Sequence, residues 1–319
     1  MAEINGFIDV SGVTYCGKQY GDIWSHDLYD LDLRQVGVTY MDLVKGKTKL
    51  TTGELGDLYQ SYNCDFTPEG SVVLGEWYFE PEAIKINMEE CYDKFWNTYL
   101  VDQTEISLRG GVPQNFADWM FAKFRAKASQ EYQEIFWQGD TTYSGDTKKY
   151  LKVIDGIEKQ LDDNSGVTKV SGAVITIDNV ISQVEAVILS GLNVAAEANV
   201  SAENYKIIMN HNDVRLLEVA LGKLCCGNST SQVFGNYTRE NGRVHVMGYE
   251  VIPTMVSRNT ILFGNPKSLI LGFDTYDSHL EYKFIDMRNT TGQNMFRILT
   301  ISNIAAAIVF PELFVVSKP

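Results

Sequence analysis

Apolar residues recur at three- and four-residue steps between Pro113 and Gly139: Phe116, Trp119, Met120, Phe124, Tyr132, Ile135 and Phe136. That spacing puts them along one stripe of a helix. Lys123, Arg125, Lys127, Glu131 and Glu134 fall mainly between those positions. Pro113 follows the Gly110-Gly111 break and suits a first helical turn, where the missing N–H has no partner to lose. Gly139 ends the run. At 1.5 Å per residue such a helix is roughly 37 Å long, well beyond the mean of about 11–12 residues. It reads as a spine between β-rich segments.

The pattern before the spine is strand-like. Val38, Tyr40, Val44, Thr48 and Leu50 suit one strand, and Ser71–Leu74 with Trp77-Tyr78-Phe79 suits another. Lys45, Lys47 and Lys49 share one face if the first strand is continuous; Gly46 equally suits a turn. Two strands with so little core of their own are marginal in water, so this hairpin is expected to lie on something else. Residues 1–36 have no clean period and read as an extended arm, or as an ordinary N-terminal strand and loop. Asn87–Tyr99 reads as a short helix with Met88, Cys91, Phe95 and Trp96 on its apolar side.

After the spine an α/β rhythm appears between Gly172 and Gly222. Ile175-Thr176-Ile177 leads to Asp178, a candidate N-cap for a helix carrying Val180, Ile181, Val184, Val187 and Ile188. Tyr205–Met209 is a buried-strand run, and Asn210–Asp213 caps the next helix, with Val214, Leu217 and Leu221 at helical spacing. From Arg243 the chain turns mostly to strand: Val244–Val246, Tyr249–Pro253, Thr260–Phe263, Tyr282–Ile285, Phe296–Ile301, Ile308–Phe310 and Leu313–Val316.

A chain of 319 residues can bury a sizeable core and hold about two domains. Its formal net charge of −14 argues against a dedicated nucleic-acid-binding module, which needs a basic footprint. No apolar run reaches the roughly 18–20 residues that span a bilayer, and the start lacks the pattern of a signal peptide. The cysteines number 5 and follow no metal spacing, so free thiols in a reducing compartment are expected. The Asn-x-Ser/Thr matches are then coincidental.

Catalytic signatures are absent. His26, His211, His245 and His279 form no metal-binding pair, there is no Gly-x-Ser-x-Gly elbow, and Cys225-Cys226 lack a nearby histidine. His211 has Asp213 close by but sits in a helix-capping turn. Gly110-Gly111 lacks the Lys-Ser/Thr of a phosphate loop. No catalytic residue, cofactor or metal site is assigned. Acidic pairs such as Glu89-Glu90 and Asp162-Asp163 read as solvated faces. A hydrolase with a dispersed carboxylate site remains as an alternative, because such carboxylates need meet only in space.

The order of parts carries a resemblance. An arm and a long hairpin precede a spine ending Phe136-Trp137-Gln138-Gly139-Asp140. The α/β block with Tyr205–Asn210 follows, then Gly248–Pro253 and an apolar tail through Ala307–Glu312. Over nearly its whole length this resembles a tailed-bacteriophage major capsid protein of the Hong Kong 97-type fold. Val44–Leu50, Cys64 and Ile84–Cys91 look like capsid proteins of phages from gut-type bacterial hosts.

The resemblance implies an α+β fold with an N-terminal arm (1–36), an extended E-loop (37–86) and a peripheral domain with the spine (87–150). An α/β axial domain (151–279) and returning C-terminal strands (280–319) complete it. It implies a structural shell subunit, not an enzyme, with itself as main partner in pentamers and hexamers of an icosahedral head around double-stranded DNA. Portal and decoration proteins would be separate partners. With Met1 retained and little before the arm, scaffolding is expected to be a separate protein or absent. The location implied is the virion capsid, assembled in the host cytoplasm, with no membrane. Lys45, Lys47, Lys49 and Trp77, all in the implied E-loop, are the candidate inter-subunit contacts, the lysines facing acidic residues of a neighbour. An encapsulin-like compartment enclosing protein cargo shares the fold and is the nearest alternative.

Overall fold

The computed structural model describes residues 33, 36–41, 46–56, 59, 61, 71–92, 127–128, 130–227, 237–240, 243–273, 283–288 and 291–319. Of the expected spine, residues 130–138 are described as helix (α1); Pro113, Phe116, Trp119, Met120 and Phe124 lie outside the described residues, as does the arm up to Asp32. The later helices are α2 (Ile157–Asp163), α3 (Val180–Glu197) and α4 (His211–Gly227). The strands are β1 (Thr39–Met41), β2 (Thr48–Leu55), β3 (Val72–Phe79), β4 (Glu82–Cys91), β5 (Thr168–Ser171), β6 (Lys206–Asn210) and β7 (Tyr237–Glu240). They continue with β8 (Arg243–Val246), β9 (Tyr249–Thr254), β10 (Ile261–Gly264), β11 (Leu269–Phe273), β12 (Lys283–Asp286), β13 (Met295–Ile308) and β14 (Val315–Lys318).

A seven-stranded mixed sheet, in the order β5-β14-β10-β6-β9-β8-β7, separates two cores. Side chains alternate across a strand, so Ile207, Met209, Val251, Ile261, Phe263 and Val315 face one core while Ile208, Ile252, Leu262 and Val316 face the other. Burial on both faces is why these strands read as continuous apolar runs. The first core is closed by α3 and α4 through Val180, Val184, Val187, Ile188, Val214 and Leu217. The second is closed by Ile135, Phe136 and Trp137 of α1 with Ile157 and Leu161 of α2. By length and composition alone α3 is apolar enough to cross a bilayer; Val180, Val184, Val187, Ile188, Gly191 and Ala195 form the buried stripe that packs it on the sheet.

The second sheet is organised by β13, which is 14 residues long. Antiparallel β4 runs along residues 295–304 on one side; on the other, β12 pairs with its first half and β11 with its second. β1 then adds parallel to β11. Phe296, Ile298, Thr300 and Ile304 are buried on one face; on the other Ile301 is exposed, whereas Ala305 and Ala307 further along are covered beside Phe79.

Two local readings are corrected and one strand is added. Asn87–Tyr99 does not begin as a helix: residues 87–91 complete β4, and the rest beyond Tyr92 lies outside the described residues. Long-range pairing with β13 decides the matter, because each residue from Glu82 to Cys91 has a ladder partner and Ile84, Ile86 and Met88 alternate inward. The cap of α3 is Asn179 rather than Asp178. The Asn179 side chain accepts from the Thr176 N–H at 2.8 Å and donates to the Val174 carbonyl at 2.9 Å, which fixes the turn entering the helix. β11 adds to the expected strands: Leu269-Ile270-Leu271-Gly272-Phe273 is short, and its strand state depends on β1 and β13 on either side.

Candidate inter-subunit surface

β2 and β3 form a two-stranded antiparallel ribbon, in unbroken register from Thr48 opposite Phe79 to Leu55 opposite Val72. At about 3.3 Å per residue, eight paired residues extend it by roughly 26 Å. Its root is Phe79, buried with Ile270, Ala305 and Ala307. Its far end is tied by the Gly56 N–H donating to the Ser71 carbonyl at 2.8 Å.

Between root and end the described apolar side chains of β3 have little cover. Val72, Val73 and Leu74 are 62%, 60% and 66% exposed. Because successive side chains alternate, Val72 and Leu74 lie on one face and Val73 on the other. A two-stranded ribbon is marginal alone, and exposed apolar side chains on it make this the candidate contact surface.

The charges of the ribbon pair across its strands. Glu76 accepts hydrogen bonds from Lys49 and, at 2.6 Å, from the Tyr78 hydroxyl. These bonds, Lys49 first, hold the Glu76 carboxyl below its usual range, and Glu76 in turn pushes the Tyr78 phenol up. Lys47 lies 2.8 Å from Glu80 and 5.2 Å from the centre of the Tyr78 ring, a cation–π distance. The hydrogen bond to Glu80 raises the Lys47 pKa.

The predicted contact residues are thus placed as follows. Lys45 lies outside the described residues. Lys47 lies just before β2 and reaches Glu80, whereas Lys49 lies within β2 and reaches Glu76. Trp77 pairs with Leu50 in the backbone ladder. Sequence reading missed Glu76 and Glu80 as partners; the available signal was the register, which sets Lys49 diagonal to Glu76 across the ribbon.

Three carboxylates among the described residues are held in structural bonds. A cavity of about 240 Å³ is lined by Gly37, Lys206, His245, Glu250 and Lys267, among others. Glu250 there pairs with Lys206 at 3.1 Å and with Arg243. Burial works to raise its pKa, but those bonds outweigh it and keep Glu250 a carboxylate. Burial pushes Glu158 up, yet its oxygens accept from the Ser257 N–H at 2.6 Å and lie 3.3 Å from Lys318. Asp213, near His211, is buried and accepts from the Asn259 N–H at 2.7 Å. Among the described residues, no group of three His, Cys, Asp or Glu is placed to hold a metal ion.

No family model matches the sequence, and no curated protein matches it. Solved structures do. A chain of the satellite phage P4 procapsid, solved with its size determination protein, superposes with a TM-score of 0.57 at 11% identity, over 93% of this chain and 90% of that one. A chain of Gordonia phage Cozz gives 0.53 at 12% identity, over 90% and 85%. A chain from the capsid of a native GTA particle gives 0.53 at 12% identity, over 90% and 89%. This is a phage capsid fold. At such identities the likeness concerns the fold, and it extends over nearly all of the chain. The capsid fold agrees with the mixed architecture expected from the order of parts, with α1 and α2 on one side of the seven-stranded sheet and α3 and α4 on the other.

Proposed function

We propose that this chain is the shell subunit of a phage head, assembling with copies of itself into pentamers and hexamers that enclose double-stranded DNA. The observation that carries this reading is the projecting β2–β3 ribbon, with Val72, Val73 and Leu74 uncovered, on a capsid fold. In the proposal the ribbon is the E-loop laid over a neighbouring subunit. Residues 1–36 are the arm, 87–150 the peripheral domain, 151–279 the axial domain and 280–319 the returning strands. Lys45, Lys47, Lys49 and Trp77 contribute at that contact, the lysines facing acidic residues of the neighbour. Repetition of one modest interface around a closed shell supplies the stability that a single contact lacks. Scaffolding, portal and decoration proteins are further partners, and assembly takes place in the host cytoplasm. The net charge of −14 suits an interior along which DNA does not stick.

The test is sedimentation and negative-stain microscopy of the purified chain across concentration and salt. Pentamers, hexamers or closed particles are expected, with nucleic-acid density inside particles isolated from infected cells. A monodisperse monomer under all conditions would overturn the proposal.

A further inference from the structure

The segment 255–259, between β9 and β10, is bound at successive residues by side chains from different elements. Gln138, in the last turn of α1, donates to the Met255 carbonyl. Asn210, at the end of β6, donates to the Val256 carbonyl at 2.5 Å. The Ser257 N–H donates to Glu158 of α2 at 2.6 Å. The Asn259 N–H donates to Asp213 of α4 at 2.7 Å, with Arg258 3.5 Å from the same carboxylate. Finally the Ile175 N–H, just before α3, donates to the Asn259 side chain at 2.8 Å. Asn259 has φ +64°, a left-handed conformation in which asparagine is among the few tolerated side chains.

The partners fall on opposite sides of the central sheet. Gln138 and Glu158 belong to elements of the core containing Val256, whereas Asp213 and Ile175 belong to elements of the core under α3 and α4. Buried Glu158 and Asp213 have their carboxylates turned onto backbone N–H groups two residues apart. A short segment without backbone ladder bonds, held by polar side chains from both layers, moves only if both sets of bonds move with it.

We infer that segment 255–259 is the mechanical coupling between the two layers, so that loosening its contact with α2 loosens the entry to α3 and the start of α4 on the far side of the sheet. This stands apart from the shell reading, since it concerns one chain in isolation.

The experiment is amide hydrogen exchange on the purified chain with two variants. Asn259→Gly keeps the left-handed backbone and removes only the acceptor for Ile175. Glu158→Ala removes the acceptor for Ser257, with Glu158→Gln as the variant that retains an acceptor. Coupling predicts that Asn259→Gly speeds exchange at Ile175 and also at Ser257, and that Glu158→Ala speeds it at Ser257 and also at Asn259 and Ile175. About tenfold is the scale of one lost buried hydrogen bond. Glu158→Gln should stay near the parent, and Leu262 in the middle of the sheet should not change. Acceleration confined to the mutated side, or equal acceleration at Leu262 from global unfolding, would overturn the inference. Should Glu158→Ala not fold, Asn259→Gly alone decides it.

Discussion

The Gly156 N–H donates to the Gly139 carbonyl at 2.8 Å, joining the end of α1 to the start of α2. Neither position has room for a side chain. A Cβ on Gly139 would lie 2.4 Å from the Ile154 carbonyl oxygen, and one on Gly156 would lie 2.6 Å from the Gly139 nitrogen. The obstacles are backbone atoms, which cannot rotate away.

Gly139→Ala and Gly156→Ala should therefore each destabilise the chain by about 1–3 kcal/mol, the usual cost of overpacking. Chemical denaturation of each variant against the parent measures it. Midpoints equal to the parent's would show that the crossing relaxes freely.

Phe136 and Trp137 are among the largest fully buried side chains and meet edge-to-face with centroids 5.1 Å apart. Phe136→Ala should cost on the order of 3–5 kcal/mol. The expected readout is a lowered denaturation midpoint or loss of soluble protein, with no site-specific activity involved.

For the ribbon the expectation is the reverse. Val73→Asp and Leu74→Glu alter side chains that are already in water, so the melting of the isolated subunit should hold within about 0.5 kcal/mol. Particle yield by light scattering should drop sharply. Undiminished yield would show that these residues face solvent in the particle.

Replacing Lys45, Lys47 and Lys49 together by glutamate tests the ribbon's charges. The change puts one carboxylate at position 49 beside Glu76 and another at position 47 beside Glu80, where ion pairs now stand. Particle yield should fall, and wild-type assembly should respond to ionic strength because these groups are exposed and screened. Equal yields of both proteins at low and moderate salt would mark the lysines as ordinary surface.

Two buried carboxylates should give pH dependences of opposite sign. Burial works against ionised Glu134, but bonds from Lys148 at 2.8 Å and from the Tyr150 hydroxyl outweigh it, so its folded pKa lies below the ordinary glutamate value. Its contribution is present above that ordinary value, about pH 4.3, and is lost as pH falls through the lower folded value. Glu158 is raised, chiefly by burial, so its contribution is present below about pH 4.3 and is lost as pH rises through the higher folded value. Denaturation midpoints across this range should show Glu134→Gln with a weaker acid-side loss than the parent. Glu158→Gln should show a weaker loss on the rising side. Unchanged profiles would contradict both assignments.

Periodicity and capping were enough to locate several elements. Within Tyr205–Met209, Tyr249–Pro253 and Thr260–Phe263 apolar residues fill both faces of a doubly covered sheet, whereas in Val244–Val246 they alternate, with Val244 and Val246 turned into one core. Asn210 starts α4 by accepting from the Asn212 N–H at 3.0 Å, a bond between near neighbours that any chain with these residues can make. Such signals are local, and the sequence by itself determined them, together with the order of parts that resembles a capsid protein.

Tertiary structure decided what depends on partners distant in the chain. Residues 87–91 carry apolar side chains at spacings that suit either a helix or a strand; ladder partners on β13, some 200 residues later, select the strand. Glu134 falls among the polar positions of the spine, yet Lys148 and Tyr150 fold back over it and make burial tolerable. Lys47 and Lys49 read as a free basic cluster until the register of β2 on β3 supplies Glu76 and Glu80. The coupling at residues 255–259 has no motif, because most of its bonds join a backbone group to a side chain from another element. Periodicity encodes which face of an element is apolar; which face meets which is fixed only when the sheets close over their cores.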